Sequence, residues 1–113
     1  MSLDPEHVAA TSFSDLPIEE GRKWAGRMVD HSTAAFQEPL AYGGYNDVDE
    51  AHYVVCTEDR TIPPEAQHGM IAGIKASRSG GDVSVHEFHS GHTPIVSQPE
   101  NLAKLLADIV KRA

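Results

Sequence analysis

Two side chains in this sequence are placed to do chemistry together, Asp59 and His92. Asp59 lies in Thr57-Glu58-Asp59-Arg60-Thr61-Ile62-Pro63, and His92 lies in His89-Ser90-Gly91-His92-Thr93-Pro94. Each run follows a predicted strand, and open α/β sheets carry their ligands and reacting groups on such loops. A carboxylate on one loop can accept the ring proton of a histidine on the other. That contact fixes the tautomer and leaves the second ring nitrogen free to take up and return a proton. Asp59 also fits a simpler role, as the acid at the start of the helix that Ile62-Pro63 introduces. His86, His89 and His92 recur every three residues, and imidazole is a common transition-metal ligand. A strand running into a loop does not aim such residues at one point, so no metal is expected. Ser90 and Ser97 read as a turn residue and a helix-cap residue. Cys56, the single cysteine, cannot form an internal disulfide and sits in the apolar run Tyr53-Val54-Val55 as a small buried hydrophobe.

The elements that must position these groups follow from periodicity and turn signals. Residues Ala51 to Thr57 form a continuous β-branched and aromatic run, as expected for a strand buried on both faces of a parallel sheet. Ile62-Pro63-Pro64-Glu65 opens a helix with Met70, Ile71 and Ile74 on its apolar side, and Ser79-Gly80-Gly81 ends it. Asp82 to Phe88 gives the next strand. Gln98-Pro99-Glu100 then starts a last helix with Leu102, Leu105, Leu106, Ile109 and Val110 inward. The fold class is therefore α/β, a β-α-β-α unit whose right-handed crossover makes the two strands parallel neighbours. Upstream, a helix should begin after Asp15-Leu16-Pro17, with Glu19 and Glu20 in its first turn. Trp24, Met28, His31 and Ala35 form its apolar stripe as far as Pro39. Arg22, Lys23 and Arg27 read as a basic face salt-linked to Glu19 and Glu20. Gly43 and Gly44, with Asn46 and three acids from Tyr45 to Glu50, mark the join of the two halves.

The run Val54-Val55-Cys56-Thr57-Glu58-Asp59-Arg60-Thr61-Ile62-Pro63 resembles the acid-bearing segment of α/β-hydrolases in the methylesterase and hydroxynitrile lyase branch. Gly91-His92-Thr93-Pro94 with Ser97-Gln98-Pro99-Glu100 is similar to the segment that carries that family's histidine. Ser14-Asp15-Leu16-Pro17 and Trp24 resemble part of its cap. The resemblance implies a partial α/β-hydrolase fold, with residues 1–48 a cap-like helical segment and residues 49–113 the C-terminal β-α-β-α part of the core. It implies Asp59 as the acid and His92 as the base. The family's nucleophile elbow, G-x-S-x-G, is missing: none of the nine serines has glycines two residues away on both sides. A truncated hydrolase-like chain is the expectation.

Composition bounds the rest. With 113 residues, one modest core is the ceiling, burying roughly 65% of the unfolded surface. Nine Lys and Arg against 17 Asp and Glu give a net charge of -8, which repels phosphate backbones and anionic lipid. No apolar run reaches the roughly 18 residues of a membrane span, and the first ten residues lack a signal peptide's basic flank and apolar centre. The expectation is a cytoplasmic protein without nucleic-acid, membrane, metal or cofactor partners. His92, oriented by Asp59, would move protons on a small, largely apolar molecule as a hydrolase, lyase, isomerase or cyclase does, with Trp24, Tyr42 and Tyr45 lining the pocket. The alternatives are an inactive binding or assembly module, or one chain of a split serine hydrolase. A two-stranded sheet with an open edge also predicts a homo-oligomer or a complementary chain.

Overall fold

A computed structural model describes residues 3–112. Its centre is a pair of parallel strands, β1 (His52–Cys56) and β2 (Ser84–Phe88), in register from His52 opposite Ser84 to Cys56 opposite Phe88. Parallel strands need a helical crossover. Here it is α4 (Pro64–Ser77), which starts on prolines and ends before Gly80 and Gly81, both at positive φ. α5 (Pro94–Ser97) and α6 (Pro99–Arg112) follow β2. The β-α-β-α order and the parallel pairing are those expected of a partial α/β fold.

The first half differs from its expected form. Helix α1 (Pro5–Thr11) is an element the periodicity did not reveal, although Asp4 accepts from the Glu6 amide at 3.1 Å and Pro5 occupies the first turn. The helix expected to run to Pro39 stops early. α2 covers only Ile18–Ala25, and after it a separate four-residue turn, α3 (Ala34–Gln37), is all the regular helix before a 3-10 turn at Gly44–Asn46. Gly26 ends α2, and Val29, Asp30, His31, Ser32 and Thr33 are all poor helix formers that nothing here buries. Met28 is consequently half exposed and Phe36 largely so.

α1 and α2 bury Val8, Ala9, Phe13 and Ala25 against each other, with Leu3, Leu16, Trp24 and Val96 packed around them. Gly21 lets the helices close up, because a Cβ there would sit 3.3 Å from the Phe13 carbonyl. Arg22 bonds Glu19 at 2.7 Å and Glu6 at 3.1 Å, and these two acids hold its guanidinium pKa above the usual value.

Two further expectations are corrected by burial. β1 is fully buried only at Val55, which is 1% exposed; Tyr53, which reaches Met70 of α4, and Val54 and Cys56 on the other face are each only half-buried. On α6 none of Leu102, Leu105, Leu106, Ile109 or Val110 is buried, and Val110 is 72% exposed. Leu102, Leu105 and Ile109 are partly covered, whereas Leu106 and Val110 face solvent. No described helix is long and apolar enough to cross a membrane.

Candidate active site

The ladder between β1 and β2 continues past the strands, since the Thr57 amide donates to the Phe88 carbonyl and the Glu58 amide to the Ser90 carbonyl, both at 3.0 Å. The two following loops are thus stitched together at the sheet's C-terminal end. Asp59 and His92 meet there, with His92 Nδ1 2.9 Å from Asp59 Oδ2. Asp59 is 8% exposed. Its other oxygen, Oδ1, accepts from the amides of Thr61 and Ile62 at 2.8 and 2.9 Å. One carboxylate therefore fills both roles the sequence suggested, capping the turn into α4 and facing the imidazole. With Asp59 ionised, Nδ1 must carry the proton, and Nε2 is left as the acceptor. A third of the His92 side chain (33%) remains accessible.

Three residues that sequence reasoning did not assign to the site hold this arrangement. Gln67 on α4 is 3% exposed; its Oε1 accepts from the Cys56 amide at 2.9 Å, and its Nε2 donates to the carbonyls of Cys56 and Ile62 at 2.9 and 2.8 Å. It pins the helix, the end of β1 and the Asp59 loop to one another. Asp15, expected near a helix start, sends Oδ2 across the molecule to accept from the Gly91 amide at 2.9 Å and the Ser97 hydroxyl at 2.7 Å. Ser12 accepts from Thr93 through its carbonyl at 2.8 Å and pairs its hydroxyl with that of Thr61 at 3.1 Å. The turn between α1 and α2 thus touches both loops. Gly91 is required at this approach, since a Cβ would meet Asp15 Oδ1 at 2.7 Å. A capping motif could have flagged Asp15, but nothing local marks a bond to a residue 76 positions away.

Beside the pair lies an open cleft of about 510 Å³ lined by Ser14, Asp15, Thr57, Glu58, Asp59 and Arg60. The expected aromatic lining is elsewhere. Trp24 packs on the α1–α2 core with Arg27 5.2 Å above its ring. The Tyr42 hydroxyl donates to Asp47 at 2.7 Å, which raises the phenol pKa. The Tyr45 carbonyl accepts from Arg78, which also bonds the carbonyls of Asp49 and Asp82 just ahead of the two strands. That is the opposite end of the sheet from His92. Ser90 is fully buried and donates to the Gly91 carbonyl, so it is the turn residue expected. Ser97 caps no helix and serves Asp15 instead. The three spaced histidines take three different partners: His86 bonds His52 at 3.0 Å, His89 bonds Thr57 at 3.0 Å, and His92 bonds Asp59. Among the described residues no three His, Cys, Asp or Glu side chains converge on one metal position.

Residues 3–105 match the profile of the alpha/beta hydrolase family. The chain belongs to the alpha/beta hydrolase family. Within it, the chain is 31% identical over 70 residues to norfluorocurarine synthase 2 of Strychnos, an alignment covering 61% of this chain and 24% of that enzyme. This alpha/beta hydrolase chain therefore spans about a quarter of the length of the curated relative it matches.

Proposed function

We propose that His92, oriented by Asp59, is the proton-transferring group of an alpha/beta hydrolase-type reaction on a small molecule. The observation that carries this reading is the 2.9 Å contact between Nδ1 and an Asp59 carboxylate that two backbone amides hold in place. An imidazole so oriented works as base and then acid, a contribution of roughly 10²- to 10⁴-fold. The neighbouring cleft has polar walls, which favours a substrate bearing carbonyl or hydroxyl groups over the largely apolar one expected from sequence. The sequence contains no G-x-S-x-G elbow, and the hydroxyls of Ser12, Ser90 and Ser97 are engaged in structural bonds. Ser14 also lines the cleft but stands in no such elbow, so the reading for this chain is that the pair activates water or the substrate itself. The synthase name of the Strychnos relative supports uses beyond hydrolysis. Turnover of p-nitrophenyl acetate, read alongside a fluorophosphonate probe, tests the proposal. Turnover should fall to the background rate in His92→Ala with no serine labelled. Unchanged turnover in that variant, or labelling of a serine in this chain, refutes it.

We also infer self-association. The free edge of β1 among the described residues and the exposed Leu106 and Val110 of α6 support it, because an unpaired strand edge and exposed apolar side chains invite a second copy. Light scattering at low micromolar concentration should give at least twice the mass of one chain; a stable folded monomer would rule this out.

A further inference from the structure

The histidine that sequence spacing grouped with His89 and His92 is grouped by the fold with a residue 34 positions earlier. His52 opens β1 and His86 lies in β2 opposite Val54, so the two project from the same face of the sheet. Their rings meet edge to edge: His52 Nδ1 lies 3.0 Å from His86 Nε2, the centroids are 5.3 Å apart and the planes differ by 21°. This is an N–H···N hydrogen bond, and the gap holds one hydrogen. Glu50 Oε2, 3.9 Å from His52 Nε2, is the one carboxylate oxygen within 4 Å of a ring nitrogen of the pair among the described residues. The residues opposite in register, Ser84 and Val54, carry no charge, and Glu87 of β2 points to the other face. Asp49, Asp82 and Arg78 line the same end of the sheet, where the Arg78 guanidinium is engaged by the carbonyls of Tyr45, Asp49 and Asp82.

We propose that the His52–His86 pair is an acid-opened latch between the starts of β1 and β2, independent of the Asp59–His92 pair. The four ring nitrogens carry two protons when both rings are neutral and three when one is charged, and in each case one nitrogen in the gap is still free to accept. A fourth proton puts N–H groups on both sides of a 3.0 Å gap and sets two positive rings edge to edge, and Glu50 can offset only one of them. The closed pair therefore binds one proton fewer than two separated histidines do. Opening takes that proton up, so closure is complete at higher pH and is lost as pH falls, in the range where imidazoles become charged. About a quarter of the His52 side chain (24%) is open to solvent, which gives protons access to the pair. The backbone beside it reports the state of the latch, because the Ser84 amide donates to the Ala51 carbonyl at 2.9 Å where the two strands begin. Four strand steps, roughly 13 Å, separate His52 from Cys56 at the strand's other end, so the latch works away from His92.

Nitrogen-15 NMR of the imidazoles and amide hydrogen exchange, both on the full chain between pH 8 and pH 5, test the latch. As the second ring of the pair becomes charged, protection of the Ser84 amide, corrected for the intrinsic pH dependence of exchange, should fall at least tenfold. Protection of the Cys56 amide, held by Gln67 at the other end of the strand, should stay within twofold. His86→Gln should abolish the fall, because its amide group can turn either an N–H or an oxygen toward His52 and so never fixes a second donor in the gap. The measurement on the unaltered chain needs no variant. Ser84 protection that persists there once both rings are charged, or a pair still closed and singly charged at pH 5, overturns the proposal, as does an equal fall in a folded His86→Gln chain.

Discussion

Replacing Asp59 with asparagine separates the two jobs its carboxylate performs. The new side chain would keep an oxygen to accept from the Thr61 and Ile62 amides, now bonded at 2.8 and 2.9 Å, but it would turn an amide NH₂ toward His92 Nδ1. Two donors cannot face each other. His92 must then present Nδ1 as an acceptor and carry its proton on Nε2, the nitrogen that served as base. Bonds to a charged acceptor contribute about 1.5–3 kcal/mol each and neutral ones about 0.5–1.5, so weakening the two turn bonds costs about 2 kcal/mol in all. A domain with about 5–15 kcal/mol of stability survives that loss. Turnover suffers far more, losing most of the roughly 10²- to 10⁴-fold that the pair contributes, because the tautomer is wrong in nearly every molecule. Asp59→Ala should be the more destabilising of the two, since it leaves both turn amides without their acceptor. Nitrogen-15 NMR of the ring at a pH where His92 is neutral, combined with urea denaturation, reads both effects. A proton that stays on Nδ1 in the asparagine variant, or turnover equal to that of the unaltered chain, would refute the reasoning.

Gln67→Ala should destabilise the fold by about 2–4 kcal/mol, visible as a lower urea midpoint, because it strips partners from the Cys56 amide and the Cys56 and Ile62 carbonyls at once; a loss below about 1 kcal/mol would remove Gln67 from its bridging role. Gly91→Ala should cost about 1–3 kcal/mol by driving a methyl against Asp15, and it should be strongly non-additive with Asp15→Ala in a denaturation cycle, whereas additive losses would mean that the two do not press together. Burial, with Cys56 and Asp59 adding to it, raises the Tyr53 phenol above the usual tyrosine value of about 10. The neutral form is the one the fold prefers, so this contribution is complete below the unfolded value and is lost as pH rises through the folded one. Tyr53→Phe should accordingly flatten the alkaline limb of the stability profile, and an unchanged limb would contradict this.

Period and punctuation were enough for the second half of the chain. Ala51 to Thr57 contains β1, Asp82 to Phe88 contains β2, and the prolines at 63, 64 and 99 start both long helices where expected. The same signals misled where burial decides. Trp24, Met28, His31 and Ala35 have helical spacing, but a stripe ordered by tertiary packing forms only where another surface receives it, and Gly26 followed by weak helix formers outweighs spacing alone. α6 illustrates the converse. Its stripe is real and its helix forms, yet the inward direction assigned to Leu106 and Val110 needed a partner surface that the described residues do not supply.

The candidate site divides along the same physical line. That Asp59 and His92 would meet followed from topology, because parallel neighbours joined by one crossover bring their C-terminal loops together. What locks the pair did not follow, because Asp15 and Gln67 act through hydrogen bonds to backbone atoms 76 and 11 positions away, and a backbone amide leaves no mark in the residue sequence. His86 makes the point most sharply. Spacing of three joined it to His89 and His92, but on a strand, alternate residues share a face and neighbours come from the adjacent strand, so its partner had to be sought in the register of β1. Once β1 and β2 are aligned, His52 is the first imidazole on that face. A histidine cluster in an α/β sequence is therefore better read across two strands than along one.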